Sequence, residues 1–318
     1  MVSTTAPRIE RLSAISGRRV LEPDEVVQGG VGDLQVIPDE LLSVRDLDLQ
    51  LTPDQRRILA REEIASITEE GIRFESILCA GFSREIQRAP DLTDPWVTYA
   101  LHELGEETRH SRLFVRLLGQ LRPQAVNPYN HGIQGFIKER VLDFLLARPS
   151  LFYVMVLAGE EIPDLLQKRT LEHPDTDPFL AQVNKYHRQE EARHLAFARL
   201  RVPEVWAKAP RRHRFAVRHL APAIIQSQYR GLLHPGIYRA AGLPGWRTSI
   251  QVHRSRSVID LRQQATRPIL QTLLEAGAFA PGRVPKSWRT LCGVDRSGRP
   301  LTRPVADVDV LTPASFSA

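Results

Sequence analysis

One short motif occurs twice in this sequence and restricts the fold more than any other feature. Glu107-Thr108-Arg109-His110 and Glu191-Ala192-Arg193-His194 both read Glu-x-x-His. On an α-helix, residues three positions apart lie on the same face, so one carboxylate and one imidazole can reach the same metal ion. The repeat therefore predicts two helices that each offer a metal one carboxylate and one imidazole.

Both motifs lie on apolar faces of their predicted helices. Glu107 shares a face with Ala100 and Phe114, and Glu191 shares one with Val183. Buried carboxylates without partners cost several kcal/mol, so these faces require a compensating charge, which a pair of divalent cations would supply. Two Glu-x-x-His helices, together with one Glu from each of two further helices, form the dinuclear site of ferritin-like bundles.

The first single-Glu helix is predicted to begin after residue 52. Glu75 shares a face there with Ile64 and Phe82. Glu69 and Glu70 point away from that face and are predicted to be solvated. The sequence therefore indicates Glu75 as a ligand.

The second single-Glu helix is predicted near residues 150–171 and is apolar nearly all round, as expected for a central helix. It carries two adjacent acids, Glu160 and Glu161. Glu160 is preferred as the ligand because Glu161 shares its face with Lys168. Both acids stay open as candidates on this reasoning.

A third histidine lies on the same stripe as the second motif. His187 precedes Glu191 by four residues and His194 by seven, so the three side chains share one face. A single inward histidine is more often a hydrogen-bonded core residue, but this stripe already carries two predicted ligands. We therefore interpret His187 as a third imidazole ligand. The seven predicted metal ligands are Glu75, Glu107, His110, Glu160, His187, Glu191 and His194.

Caps followed by proline predict where the main helices begin. Thr52, Asp94 and Asp177 each precede a proline, which suits an N-cap followed by the first helical position. No strand-rich region interrupts the helical pattern. These signals predict an all-α fold with a ferritin-like four-helix bundle as its core and additional flanking helices.

The ligand set resembles the para-aminobenzoate N-oxygenase (AurF-like) family of ferritin-like non-haem diiron oxygenases, most closely at residues 106–114 and 187–194. That family is distinguished by an additional histidine, which corresponds to His187. The resemblance implies two iron ions, with manganese as an alternative metal, and bridging roles for Glu107 and Glu191. It also implies O2 as a substrate, N-oxygenation of an arylamine towards a hydroxylamine or nitro product, and an external electron donor, either a reductase or a small reductant.

The predicted domain division follows the helical pattern. Residues 1–50 are predicted to form an irregular N-terminal arm, because short apolar pairs are interrupted there by glycine and proline. Residues 51–277 are predicted to form the ferritin-like diiron helical domain. Residues 278–318 are predicted to form a C-terminal tail that is packed on the bundle or partly disordered.

Composition argues against several classes of partner. The formal net charge is +6, but the basic residues are mostly interleaved with acids, which indicates solvated helix faces more than a nucleic-acid surface. No apolar run approaches the ~20 residues of a membrane span, and the first residues do not resemble a signal peptide. With only two cysteines, we expect a cytoplasmic protein without nucleic-acid or membrane partners, and a homodimer as a candidate assembly.

Three other functions fit part of the pattern. A diiron or manganese–iron enzyme that hydroxylates or desaturates C–H bonds would use the same ligands. A non-catalytic ferritin-like iron-binding protein would use most of them. A metal-free helical interaction module would use none, and metal analysis separates it from the others.

Each metal-bound imidazole also needs an acceptor for its second ring nitrogen. Asp164 and Glu103 lie on suitable faces of their predicted helices. The sequence therefore favours these two acids as partners of His110 and His194.

Overall fold

The computed structural model describes residues 5–18 and 20–301, and within them the chain is all-α, as predicted. The single β-pairing in these ranges is an isolated bridge between Val294 and Pro300. No single helix of the described residues has both the length and the apolar composition needed to cross a membrane, although two consecutive helices, Gly132–Leu146 and Pro149–Glu172, pass that test together as a pair bent by 118°.

Four long helices form the core bundle. They are α3 (Pro53–Gln87), α4 (Pro95–Leu121), α6 (Pro149–Glu172) and α7 (Pro178–Lys208). Helix α3 packs along α4, and α6 packs along α7, so the bundle consists of two helix pairs. This arrangement is the predicted ferritin-like core.

The caps predicted from the sequence are present at three of these helices. At α3, Thr52 and Gln55 form a reciprocal capping box. At α4, the Asp94 carboxylate accepts a hydrogen bond from the backbone N–H of Trp96. At α7, the carboxylate of Asp177 accepts from two backbone N–H groups. Local sequence therefore fixes where the bundle helices begin.

The helical region after the bundle is divided into several short segments. Helix α7 continues to Lys208, and α8 (Arg211–Phe215), a π-helical turn over 216–220 and α9 (Ala221–Leu232) follow it. Pro210 forms the N-cap of α8, and a proline lies in the first turn of α9. Since proline lacks an N–H, it suits a helix start and opposes a continuous helix.

The N-terminal arm differs from the prediction, because it is not irregular throughout. It contains α1 (Ala6–Arg18) and a short α2 (Pro23–Val26). Helix α1 buries Ile9 and Ser16 against α4 and α7. Apolar and small side chains recur every three to four residues in this helix, a helical period that the neighbouring glycines and prolines obscured.

Five further helices of the described residues surround the bundle, and part of the predicted C-terminal tail packs on it. In residues 278–301, the Trp288 side chain is fully buried, and its Nε1–H donates a 3.1 Å hydrogen bond to the carbonyl of Val217. Residues 302–318 of that tail lie outside the described residues. The surrounding helices are α5 (Gly132–Leu146), α10 (Pro235–Ala240), α11 (Gly245–Arg254), α12 (Arg256–Glu275) and α13 (Lys286–Cys292).

Candidate metal centre

All seven predicted ligands lie inside the four-helix bundle, and none is more than 3% exposed. Helices α3 and α6 each contribute one carboxylate, α4 contributes one Glu-x-x-His motif, and α7 contributes the other motif and the additional histidine. These side chains are Glu75 on α3, Glu107 and His110 on α4, Glu160 on α6, and His187, Glu191 and His194 on α7.

Six of the seven side chains form two overlapping groups, within each of which the ligand atoms lie within 4.8 Å of one another. His110 and Glu191 belong to both groups. The cavity-side group is Glu75, His110, His187 and Glu191. The inner group is Glu107, His110, Glu191 and His194.

The two motif carboxylates each lie between two imidazoles. Glu191 Oε1 is 3.1 Å from His110 Nδ1, and Glu191 Oε2 is 3.1 Å from His194 Nδ1. Glu107 Oε1 is 3.2 Å from His194 Nδ1, and Glu107 Oε2 is 3.3 Å from His110 Nδ1. This is the arrangement expected of carboxylates that bridge two metal ions.

Histidine 187 completes the cavity-side group from the same helix. His187 Nε2 lies 3.3 Å from Glu75 Oε1 and 3.4 Å from Glu191 Oε1. Its other ring nitrogen, Nδ1, donates to Gln167 Oε1 at 2.9 Å. Because Nδ1 holds the proton, Nε2 keeps its lone pair for a metal.

The two adjacent acids of α6 point in different directions. Glu160 is 2% exposed, and burial together with the neighbouring Glu191 carboxylate raises its pKa well above the ordinary value. Glu161 forms an ion pair with Arg199 on α7. Glu160 therefore stays the ligand candidate of α6, although it lies outside the two groups.

The hydrogen-bond acceptors of the second ring nitrogens of His110 and His194 differ from those predicted. His110 Nε2–H donates to Glu190 Oε2 at 3.0 Å, and His194 Nε2–H donates to Glu106 Oε2 at 2.7 Å. The acceptor predictions were wrong: Asp164 instead accepts a 2.7 Å hydrogen bond from Arg188, and neither carboxylate oxygen of Glu103 has a hydrogen-bond partner among the described residues. The hydrogen bonds cross between α4 and α7, so inspection of one helix at a time could not reveal them.

A sequence signal for these acceptors was nevertheless present. Both motifs read Glu-Glu-x-Arg-His, so each ligand Glu follows an acceptor Glu and each ligand His follows an arginine. Arg193 donates to Glu106 at 2.9 Å, and Arg109 lies 3.5 Å from Glu190. Burial alone would raise the pKa of Glu106, but His194 and Arg193 bring it to about 2. Glu106 is therefore an ionised acceptor.

Unpartnered carboxylate oxygens provide a test of whether a metal fits the site. Among the described residues, one oxygen of each of Glu75, Glu107, Glu160 and Glu191 is buried without a hydrogen-bond partner. Each such oxygen carries a desolvation cost of about 1–3 kcal/mol or more. Cations bound between these oxygens and the imidazole nitrogens would offset that cost, so the donor set fits a pair of metal ions.

The charge states of the cluster depend on burial and on mutual contacts. Burial, reinforced by the neighbouring acids, raises the pKa of Glu75 and Glu160 well above the ordinary value. Burial also lowers the pKa of His187 to about 4. His187 is therefore neutral near pH 7, which is the state that a metal ligand requires.

A glycine brings the two single-Glu helices close together. A methyl group added to Gly159 would lie 1.8 Å from the ring of Phe74, which is closer than atoms can approach. Gly159 precedes the ligand candidate Glu160, and Phe74 precedes Glu75. The absent side chain at 159 therefore lets α3 and α6 approach each other beside the metal centre.

A cavity of about 470 Å³ adjoins the cluster. Glu75, Glu160 and His187 line it, whereas His194 does not. The lining also includes Glu63, which precedes Glu75 by twelve residues on α3, a rise of about 18 Å. A cavity of this size can hold a small organic molecule against one side of the metal centre.

Comparison with known proteins identifies a family. Residues 7–277 match the family described as p-aminobenzoate N-oxygenase AurF, an oxygenase family. An uncharacterized protein of Mycobacterium tuberculosis (strain ATCC 25618 / H37Rv) is 28% identical over 181 residues, which are 54% of this chain and 50% of that protein. An uncharacterized protein of Mycobacterium bovis matches equally. The chain spans about half the length of these curated relatives. Since the family match covers most of the chain, the protein belongs to the p-aminobenzoate N-oxygenase AurF family.

Proposed function

We propose that this protein is a non-haem diiron oxygenase that uses O2 to oxygenate the nitrogen of an arylamine. One observation carries the proposal: three carboxylates and three imidazoles converge inside the bundle, and one side of that cluster adjoins a cavity that Glu160 also lines. Membership of an oxygenase family supports the reaction class. The arylamine substrate is proposed by analogy with the family, since folds alone do not fix substrates.

Glu and His ligands suit iron, and manganese is the alternative metal. Seven protein ligands shared by two ions leave coordination positions for O2. Two bound iron ions would supply the redox chemistry that reduces O2. Gln167, Glu106 and Glu190 accept hydrogen bonds from the three imidazoles, so each imidazole turns its other ring nitrogen towards the cluster, where it could bind a metal.

The reaction requires a reductant as well as O2. In the first oxygenation, an N–O bond forms, the O–O bond breaks, and the second oxygen atom leaves as water. An amine gives a hydroxylamine in this step, and two electrons and two protons must come from outside. We propose a reductase or a small-molecule reductant as their source.

The cavity determines which molecules reach the metals. Its walls are largely apolar, with Ile64, Phe74 and Leu166 among the lining residues, so an aromatic ring can displace water there. Glu75, Glu160 and His187 are the ligands that such a ring would approach. A substrate amine would be held at the cavity-side group.

Single-turnover oxygenation tests the proposal. Metal-free protein is loaded anaerobically with ferrous iron, mixed with a panel of arylamines, and exposed to 18O2. We expect mass spectrometry to detect 18O on nitrogen in at least one hydroxylamine or nitro product. The His102→Ala variant is the matched control, because His102 lies on α4 outside both ligand groups.

Two outcomes contradict this proposal in different ways. Label found only on carbon would identify a C–H hydroxylase instead of an N-oxygenase. Oxidation of the iron without any labelled organic product across the panel would favour a non-catalytic iron-binding protein.

A further inference from the structure

The repeat in α4 and α7 extends beyond the two motifs. Positions 103, 106, 107, 109 and 110 of α4 recur in α7 at a constant offset of 84 residues. Four of the five pairs are identical residues. The fifth pair places Glu103 opposite the ligand His187.

The structure gives the repeat an approximate two-fold relation. The motif histidine of α4 donates to Glu190 of α7, and the motif histidine of α7 donates to Glu106 of α4. On the cavity side, the ring centroids of His187 and His110 are 4.6 Å apart. The same relation applied to the other helix predicts that Glu103 lies beside His194.

The surroundings of Glu103 agree with that position. The side chain is 0% exposed, and both carboxylate oxygens lack a hydrogen-bond partner within the described residues. Burial raises its pKa well above the ordinary value, and His194, Glu107 and Glu191 have the largest electrostatic effects on it after burial. All three belong to the inner group.

We propose that Glu103 is an eighth ligand of the metal centre, which binds the ion held by His194. This inference rests on the proposed diiron centre. Glu103 and Glu160 both lie outside the two groups of converged ligand atoms, so each carboxylate would turn towards the metal on binding. The inner ion would then receive a carboxylate where the cavity-side ion receives the imidazole of His187.

Charge predicts the redox state in which Glu103 binds more strongly. Four ionised Glu ligands balance two divalent ions, so a fifth carboxylate adds excess negative charge to the ferrous site. With ferric ions, the same carboxylate offsets positive charge. Glu103 therefore favours ferric over ferrous iron at the inner position.

The test is the reduction potential of the iron-loaded protein, compared with that of two variants. Glu103→Gln removes the charge and keeps the shape, and ligation predicts at least a tenfold loss of ferric relative to ferrous affinity at one iron, a rise of about 59 mV for a one-electron couple. Glu103→Asp keeps the charge but shortens the side chain, so ligation predicts an upward shift here as well. Both variants should still bind two ferrous ions, counted by metal analysis.

Each result supports or overturns the assignment. An upward shift in both variants supports ligation by Glu103. A shift in Glu103→Gln with none in Glu103→Asp would indicate an effect through space and would overturn it, as would two unshifted variants. Should Glu103→Gln not fold, judged by circular dichroism, the Glu103→Asp potential alone decides. A wild-type chain that takes up no iron overturns the diiron centre itself, which distinguishes the failure of that proposal from the failure of this one.

Discussion

The two sides of the candidate metal centre share His110 and Glu191 from the repeated motif but have different surroundings. On the inner side, His194 donates to the ionised carboxylate of Glu106, which Arg193 also contacts. On the cavity side, His187 donates to the neutral amide of Gln167 and lines the cavity. The comparison shows how a nearly symmetric ligand set can give one enclosed metal position and one accessible position.

The residue that accepts a hydrogen bond from the non-metal-facing ring nitrogen affects how strongly each histidine binds a metal. A carboxylate acceptor raises the basicity of a metal-bound imidazole more than a neutral amide does. His194 should therefore bind its ion more strongly than His187 binds the cavity-side ion. Substrate and O2 would approach the cavity-side ion, which is bound more weakly.

The largest effect should come from Glu191, one of the two candidate ligands that both groups share. Glu191→Ala removes the carboxylate that lies between His110 and His194, so we expect both metals to be lost, with affinities at least about 100-fold weaker. Metal analysis of protein equilibrated with ferrous iron measures this. Glu161→Ala is the control from α6, since Glu161 pairs with Arg199, and it should keep both metals. Two metals retained in Glu191→Ala would contradict the shared-ligand assignment.

Removing the histidine of one side should affect one metal ion more than the other, so that binding at the two positions can be distinguished. His187→Ala should lower the metal content from two towards one per chain and leave the tighter inner ion bound. His194→Ala should weaken the inner ion instead, and chelator competition would then show that the stronger of the two binding phases is lost. His102→Ala should change neither phase. Identical binding curves for the His187 and His194 variants would remove the proposed difference between the sides.

Substitutions of Glu106 and Gln167, which accept hydrogen bonds from the candidate ligands, should have intermediate effects on metal affinity. Glu106→Gln removes the charged acceptor of His194, and we expect about a 10–100-fold loss of affinity for the inner ion. Gln167→Glu gives His187 a carboxylate acceptor, so it should strengthen cavity-side binding and make the two phases more alike. Isothermal titration with ferrous iron under anaerobic conditions measures both. A weaker cavity-side phase in Gln167→Glu would show that the acceptor charge does not set the difference.

The smallest effect on metal binding is expected at Glu63, which also lines the cavity. Burial raises the pKa of Glu63 from 4.5 to about 7, although Ser43 donates hydrogen bonds to it. The folded protein therefore retains a proton that the unfolded chain releases, and this contribution to stability is full below pH 4.5 and lost as pH rises through 7. The shift corresponds to roughly 3 kcal/mol over that window.

Urea unfolding of metal-free protein at pH 5 and pH 7 measures this contribution. Glu63→Gln should reduce the pH dependence between these values, with the remainder due to the other buried acids, and leave iron stoichiometry at two. The exposed Glu40→Gln is the control and should unfold with the wild-type pH dependence. A Glu63→Gln variant with the full wild-type pH dependence would exclude Glu63 as its source.

The sequence predicted the parts of the fold that depend on local signals. The Thr52, Asp94 and Asp177 caps are present because each is set by residues within one helical turn. The helix Ala6–Arg18 was missed because its helical period lies beside glycine- and proline-rich neighbours. Local signals thus found the long helices but not the first short one.

In the candidate site, too, the features set by one helix were predicted and those set by contacts between helices were not. Helical faces predicted that the seven candidate ligands are buried in the bundle, and all seven are. The acceptors Glu190 and Glu106 were not found, because each serves a histidine on the other helix. Such contacts depend on the relative rotation of α4 and α7, which no single-helix pattern contains.

The most direct test of the diiron centre is the metal content of the protein. Protein purified from iron-supplied cells, or reconstituted anaerobically with ferrous iron and separated from free metal, should contain two iron ions per chain by elemental analysis. The Glu191→Ala variant prepared in the same way should contain neither. No more than trace iron in the wild-type protein, or equal iron in both proteins, would contradict the account.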